Sequence, residues 1–248
     1  MRWLPGALGL AGLLAAWELV GRTVFATTHT VPAPTAIVAH MFDDGFSFYW
    51  SNSLTTLREA AFGWLYGNAV AITLAIAFVQ IPLVERALLQ LALASYCLPV
   101  IAIGPVLAVL FSGDTPKVIL AALSVIFTTL ISMLVGLRGA DRTSLDLIRA
   151  YGGGSWTQLW KVRLRASLPG LFAGLRIAAP AAMLGAIIGE YLGAESGLGV
   201  AMINSQQSLA VERTWGIALV ATALSGAAYG LTALAGRLLT PWAPRITR

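Results

Sequence analysis

Side chains that can act as nucleophiles, bases or metal ligands are scarce in this sequence of 248 residues. It contains one cysteine, Cys97, and two histidines, His29 and His40. A single cysteine excludes an internal disulfide framework, and this small set predicts no His/Cys metal site. Both histidines lie before residue 60, outside the long apolar segments of the chain. Those segments therefore offer no serine–histidine pair for a protease mechanism. The sequence therefore does not predict an enzyme.

Four polar side chains inside or beside the apolar runs are candidates for contact with a solute: Asn68, Ser95, Tyr96 and Glu190. Glu190 is the strongest candidate because it is an acid beside a row of glycines, and the alternative is a paired carboxylate at the membrane interface. Ser95 and Tyr96 lie close to Pro99, which predicts a polar, kink-prone helix centre. They and Asn68 predict either a pathway lining or hydrogen bonds between helices.

The composition explains why a membrane protein is expected. Hydrophobic residues make up 58% of the chain and charged residues only 11%, whereas soluble domains carry about 25% charged residues. A soluble globule of this length could not bury so much apolar surface. This excludes a soluble enzyme, a nucleic-acid-binding domain and a disordered protein.

Six apolar runs approach or exceed the length of about 20 residues that a helix needs to cross a bilayer. They cover residues 3–21, 60–84, 87–111, 118–137, 168–189 and 214–236. The runs lack the alternation of barrel strands, so the predicted fold is an all-α membrane protein with six transmembrane helices. A signal peptide is the alternative for the first run, but Trp17 and Glu18 stand where small residues would precede a cleavage site.

The basic residues predict the orientation of these helices. If the N-terminus is cytoplasmic, 12 of the 16 lysines and arginines lie inside, as the positive-inside rule requires. This predicts a multi-pass protein of the cell (inner) membrane with both termini cytoplasmic. The net charge of +5 then needs no nucleic-acid partner. Residues 23–59 form a long external connection, and residues 138–167 form the longest cytoplasmic loop.

Small residues recur along the fifth run. Gly185, Gly189 and Gly193 stand four apart and predict a helix face that neighbouring backbones approach closely. The face serves either packing within one subunit or a helix that lines a pathway or a subunit interface.

The long cytoplasmic loop has the pattern of a helix, a glycine turn and a second helix. Thr143 or Ser144 can cap the first helix, which the glycines at 152–154 must end. Ser155 then begins the second helix, with Gln158 at the spacing of a capping box.

The loop also carries several large apolar side chains, which are Leu147, Ile148, Tyr151, Trp156 and Trp160. Two interpretations remain open from the residues alone. The segment lies on the lipid headgroups, where tryptophan and basic residues are common, or it is a docking site for a cytoplasmic partner.

The residues of this loop resemble the EAA motif of binding-protein-dependent (MetI-like) ABC importer permeases. Residues 146–152, Asp-Leu-Ile-Arg-Ala-Tyr-Gly, fit the start of the motif, and Pro169 follows Gly152 at the spacing of seventeen that it requires. The chain departs from the motif at Asp146, where the family has glutamate, at Leu147 and Ile148, where it has alanines, and at Arg165, where it has proline. Residues 31–38, 53–63, 174–177 and 189–199 resemble segments of the nitrate/sulfonate/taurine branch.

The resemblance implies a single permease domain, residues 1–248, whose loop at about 138–169 fits a groove on a separate ATP-hydrolysing subunit. The residues expected to couple to that ATPase are Asp146, Leu147, Ile148, Tyr151, Gly152, Trp156 and Pro169. It also implies an extracytoplasmic solute-binding protein and a second permease copy, most simply in a homodimer, besides contact with membrane lipid. No cofactor is expected in this chain, since ATP and magnesium bind the partner ATPase.

The expected function is therefore the transmembrane permease subunit of an ABC importer, with a small anion such as a sulfonate, taurine or nitrate as solute. An ABC permease for a heterocyclic vitamin precursor is one alternative. The other is a secondary transporter or channel that works without an ATPase. Secondary transporters usually carry intramembrane acids or internal repeats, and the sequence shows neither clearly. The absence of a Gly-x-x-x-x-Gly-Lys-Ser/Thr loop agrees with nucleotide binding in another chain.

Overall fold

The computed structural model describes residues 4–26, 30–97 and 99–243, with side chains except at residues 4 and 91–97. This part of the chain is helical and contains no strand. The helices are α1 (Leu4–Thr23), α2 (Pro34–Asp44), α3 (Phe46–Gln80), α4 (Pro82–Cys97), α5 (Val100–Leu110), α6 (Thr115–Arg138), α7 (Arg142–Ala150), α8 (Ser155–Gln158), α9 (Leu164–Tyr191), α10 (Leu198–Gln207) and α11 (Val211–Leu239), with a π-helical turn, Leu159–Arg163, between α8 and α9.

Prolines mark several of the helix starts. Pro34, Pro82 and Pro116 each occupy the first or second position of a helix, where the missing N–H is not needed and the fixed φ suits the helix. Pro99 likewise precedes α5 and separates it from α4. The third apolar run is thus divided into two shorter helices.

Four helices in the described part of the chain are long and apolar enough to cross a membrane: α3, α6, the continuous helical segment Ser155–Tyr191, and α11. α1 has 20 residues, and the divided pair α4 and α5 occupies the third run. The count of six spans stays a prediction. α3 begins at Phe46, so residues 46–59, the last part of the predicted external connection, are helical.

The described helices group into two compact units, and α3 and α11 contribute residues to both. The first unit consists of residues 1–56 and 195–223. Within it, Glu18 and Arg22, four residues apart on α1, form an ion pair, and the Glu18 carboxylate also accepts hydrogen bonds from the backbone N–H and hydroxyl of Thr35. These contacts tie the start of α2 to the end of α1.

The second unit consists of residues 57–194 and 224–248 and holds the main apolar core. Ala71, Phe78, Leu130, Met133 and Leu159 are almost completely buried there, which places the core between α3, α6 and the segment that leads into α9. A second cluster, of alanines with Val125 and Met183, packs between the same three helices. The candidate site is built on this α3–α6–α9 packing.

Candidate functional site

The loop between α6 and α9, which the sequence predicts to be cytoplasmic, folds as a helix, a turn and a second helix. The cap of α7 is Asp141, not Thr143 or Ser144, and its carboxylate accepts hydrogen bonds at 2.8 Å from the backbone N–H and the hydroxyl of Ser144. Both hydrogen bonds hold the pKa of the Asp141 carboxyl below its usual range, and the bond from the backbone N–H has the larger effect. The sequence argument missed this cap because serine and threonine compete with aspartate for the role.

The turn after α7 depends on glycine. Gly152 has φ +78°, a conformation that other residues adopt only at a cost. A Cβ on Gly153 would lie 2.5 Å from the Ile148 Cγ2 atom, and the Gly153 N–H donates to the Ile148 carbonyl at 2.8 Å. Gly152 therefore provides the backbone geometry of the turn, whereas Gly153 allows the chain to pass close to Ile148.

Four large side chains around this turn face solvent in the chain as described. They form the apolar patch, which consists of Leu147, Tyr151, Trp156 and Trp160, with exposed fractions of 57%, 85%, 62% and 68%. Ile148 is half-buried against the turn. Isolated exposed apolar residues are ordinary, but four large ones within one short connection indicate an interaction surface.

The second half of the loop is continuous with a helix that is long and apolar enough to cross a membrane. α8, the π-helical turn and α9 run without a break from Ser155 to Tyr191. Gly154 is the N-cap of α8 and Ser155 makes no capping hydrogen bond, so the expected capping box is absent. Pro169 neither ends the loop nor begins a helix, since it lies inside α9. The π-helical turn, which accommodates one extra residue per turn, precedes it by six residues.

Asp146 is exposed and forms an ion pair with Arg149, with Oδ1 and Nη1 3.0 Å apart. An exposed pair of this kind is worth little to stability. Of the residues expected to couple to an ATPase, Leu147, Tyr151, Gly152 and Trp156 are thus exposed together, while Asp146 has an internal partner and Pro169 is half-buried in α9.

The predicted glycine row on α9 lies against α6. A Cβ on Gly185 would stand 2.7 Å from the Ala121 Cα, and one on Gly189 would stand 2.7 Å from the Lys117 Cα. Both distances are too short for a side chain. Gly193 does not continue the row, because α9 ends at Tyr191 and Gly193 lies in the following turn with φ +130°.

Glu190 is buried inside this packing, with an exposed fraction of 1%, and does not face the surface of the subunit. Close to it lies a charged cluster formed by Glu59 of α3, Lys117 in the first turn of α6 and Asp114 just before α6. Lys117 Nζ is 3.3 Å from Glu59 Oε1 and 3.2 Å from Asp114 Oδ1, and Glu190 acts electrostatically on Glu59. Glu59 is also 1% exposed, so the cluster sets one buried cation against two buried carboxylates.

The remaining pathway candidates differ in their placement. Asn68 is buried, donates to the Trp64 carbonyl at 2.7 Å and accepts from the Thr129 hydroxyl at 2.5 Å. It therefore joins α3 to α6, the second of the two roles that the sequence left open. The side chains of Ser95 and Tyr96 lie outside the described residues.

Sequence reasoning missed Glu59 and Lys117. Each stands directly before an apolar run, at residues 60–84 and 118–137, and was therefore counted with the external connections. A signal was nevertheless present. Glu59, Lys117 and Glu190 all fall at the predicted outer ends of their runs, so their charges lie at one depth in a helical bundle.

Comparison with known proteins gives a consistent result. Residues 67–243 match the family described as "Binding-protein-dependent transport system inner membrane component". A probable ABC transporter permease protein of Haemophilus influenzae is 29% identical over 226 residues, which cover 91% of this chain and 92% of the relative.

Two further relatives carry the name of a solute. The riboflavin transport system permease protein of Chloroflexus aurantiacus is 33% identical, over 86% of this chain and 80% of its own length. A putative aliphatic sulfonates transport permease protein of Bacillus subtilis is 27% identical, over 83% of this chain and 75% of its own length.

Proposed function

Because the chain belongs to the family of binding-protein-dependent transport system inner membrane components, we propose that it forms the solute pathway of an ABC importer and couples that pathway to a separate ATPase. The resemblance found in the sequence is confirmed for the family and for the branch that includes sulfonate and taurine permeases. The relatives are permease subunits of ABC transporters and not enzymes. ATP hydrolysis accordingly belongs to a partner.

The observation that carries the coupling role is the apolar patch on a rigid connection. Tyr151 and Trp156 are exposed on either side of a glycine turn, and the helical segment Ser155–Tyr191 continues from that turn into the bilayer. α6 ends only four residues before α7 begins. A partner that holds the patch therefore moves both α6 and α9 when it moves as a rigid body. Asp146, Leu147, Ile148, Gly152 and Pro169 belong to the same coupling segment.

The partners follow from this role. Two cytoplasmic ABC ATPase subunits cover the coupling segments of a permease pair, and a solute-binding protein delivers the solute from outside. A second copy of this chain completes the pathway. The chain is placed in the inner membrane with both termini cytoplasmic, a topology supported by the positive-inside distribution of its 16 basic residues.

The proposed solute is a small anion such as a sulfonate, taurine or nitrate. The relatives named for sulfonates and taurine support it. The relative named for riboflavin supports a heterocyclic vitamin or vitamin precursor as the second candidate. Equilibrium binding of taurine, nitrate and riboflavin to the cognate solute-binding protein distinguishes these solutes, because that protein selects what reaches the permease.

A reconstitution experiment tests the coupling role. The full chain, its ATPase and its binding protein are placed in vesicles, and ATP-driven uptake is measured for the wild type, for Gly152→Pro and for Tyr151→Ala/Trp156→Ala. Both variants are expected to lose uptake and co-purification with the ATPase while still inserting. Phe42→Ala is the control, since Phe42 is likewise a large apolar side chain, 82% exposed on α2, and is not part of the coupling segment.

Two outcomes contradict the proposal. Full ATP-driven uptake by Gly152→Pro would remove the coupling role from the turn. Solute flux in vesicles that contain only this chain, without nucleotide, would favour a secondary transporter or channel.

A further inference from the structure

Four arginines converge on one open recess at the inner end of α6. The recess has a volume of about 470 Å³, and Arg138, Arg142, Arg149 and Arg163 line it together with Leu145 and Asp146. The arginines come from three places in the chain: the last residue of α6, the two ends of α7, and the π-helical turn. Neighbouring elements of one segment, residues 138–163, therefore bring positive charge to one place.

The lining of the recess has an excess of positive charge. Asp146 is the one carboxylate among the residues that line it, and it pairs with Arg149. Arg138 binds Glu85, which lies on α4 and outside the recess, and Arg163 donates to the Leu137 carbonyl at 3.3 Å. Even with both carboxylates counted, two positive charges remain uncompensated around a single cavity.

Arg142 is not explained by helix stability. It is the first residue of α7, where the helix dipole is positive and a basic side chain is unfavourable. Arg149 lies seven residues later, near the end of the same helix, and is also exposed. A basic residue kept at an unfavourable helix position indicates that it interacts with something outside the helix.

The recess and the apolar patch use opposite faces of α7. Arg142, Asp146 and Arg149 are spaced by four and three residues, so they lie on one side of the helix. Leu147 and Tyr151 are also four apart, and the rotation of about 100° per residue puts them on the other side. A partner that covers Leu147 and Tyr151 therefore leaves the arginine side accessible.

The depth of the recess indicates what fills it. α6 is an apolar span that ends at Arg138, so the recess begins where the hydrocarbon region gives way to the phosphate layer. Guanidinium groups bind phosphate oxygens with two parallel hydrogen bonds. We infer that this recess binds the phosphate headgroup of an anionic phospholipid of the inner leaflet.

Lipid retention by the isolated full chain tests this inference. The purified chain in detergent is titrated with phosphatidylglycerol or phosphatidylcholine, and the bound lipid is counted by native mass spectrometry. A basic residue near an anionic surface contributes a factor of about five in affinity. Arg142→Gln/Arg149→Gln is thus expected to bind phosphatidylglycerol about 25-fold more weakly, with phosphatidylcholine unaffected. Arg142→Gln alone is expected to lose about fivefold and decides the question if the double variant does not fold.

Arg237→Gln is the matched control, because Arg237 is an exposed arginine in the last turn of α11 and does not line the recess. Equal retention of the two lipids by the wild type, or an equal loss in Arg237→Gln, overturns the inference. Displacement of phosphatidylglycerol by inorganic phosphate at the same concentration assigns the recess to a free anion and also overturns it. The readout needs no ATPase, so it fails or succeeds independently of the proposed transport function.

Discussion

The ammonium group of Lys117 on α6 lies 3.3 Å from the carboxylate of Glu59 on α3, and their side chains are 8% and 1% exposed. Each group makes the burial of the other tolerable, since an isolated charge in a low-dielectric interior carries a desolvation cost of several kcal/mol. The pair lies where Gly189 allows α9 to approach the Lys117 backbone. It therefore joins α3 to α6 at the place where α9 also approaches α6.

Lys117→Met is expected to destabilise the protein by about 3–5 kcal/mol, because it leaves Glu59 buried without its opposite charge. The thermal unfolding midpoint of the purified chain in detergent measures this. Lys161→Met is the control, as Lys161 is the other lysine of the chain and is exposed.

The double variant Lys117→Met/Glu59→Gln sharpens the test. It removes both charges of the pair, so it is expected to be more stable than Lys117→Met alone. A double variant that is less stable than either single one would show that the pair is not the reason for the loss.

Gly185→Ala is expected to cost about 1–3 kcal/mol, since the added Cβ would stand 2.7 Å from the Ala121 Cα and the backbones of α6 and α9 would have to separate. Gly226→Ala is the control on α11, where a Cβ meets no atom within 4 Å. The unfolding midpoint of each variant is compared with the wild type. Equal midpoints for the two variants would argue against close packing at Gly185.

These two features also show how far sequence reasoning reaches. The four-residue spacing of Gly185 and Gly189 is local, and it predicts a face suited to close approach. The Glu59–Lys117 pair joins residues 58 positions apart, and no local pattern indicates which distant residues meet. Hydropathy also assigns charged residues to the connections between the membrane spans. A buried residue of opposite charge nevertheless allows a charged side chain to lie between packed helices.

The coupling segment shows the same limit at a smaller scale. Three consecutive glycines predict that α7 must end, because glycine disfavours helices. Which residue caps α7 depends on the backbone angles of one position, where Asp141 has φ −57° and ψ 127°. Aspartate, threonine and serine are all suitable caps, so the residue types alone do not choose among 141, 143 and 144.

The stability of the first unit is expected to fall in acid through Asp44. Burial alone would raise the pKa of this carboxyl, but hydrogen bonds from Arg213 and from the Tyr49 hydroxyl outweigh it and hold the pKa below the usual value of about 3.9. A depressed carboxyl pKa stabilises the fold above the unfolded value, and that contribution is lost as the pH falls through the folded value. The unfolding midpoint should therefore decline below about pH 4.

Asp44→Asn is expected to lower the midpoint at pH 7 and to flatten its decline in acid. Asp43→Asn is the matched control, because Asp43 is the neighbouring residue and is exposed. The assignment is wrong if Asp44→Asn follows the wild-type curve between pH 7 and pH 3 while Asp43→Asn departs from it.

The turn between α7 and α8 contains two glycines at which the same substitution, glycine to serine, tests the effect of backbone strain without any steric clash. Gly152 has φ +78°, and Gly154, the N-cap of α8, has φ −80°; a Cβ would meet no atom within 4 Å at either position. Gly152→Ser must adopt a left-handed conformation, which costs about 1–2 kcal/mol, whereas Gly154→Ser places a favoured residue at an N-cap. If the ATPase binds the patch only when the turn is formed, Gly152→Ser should weaken ATPase binding to the purified chain by about fivefold or more. Gly154→Ser should bind as the wild type does. Equal affinities for the two serine variants would show that the geometry of the turn does not govern docking.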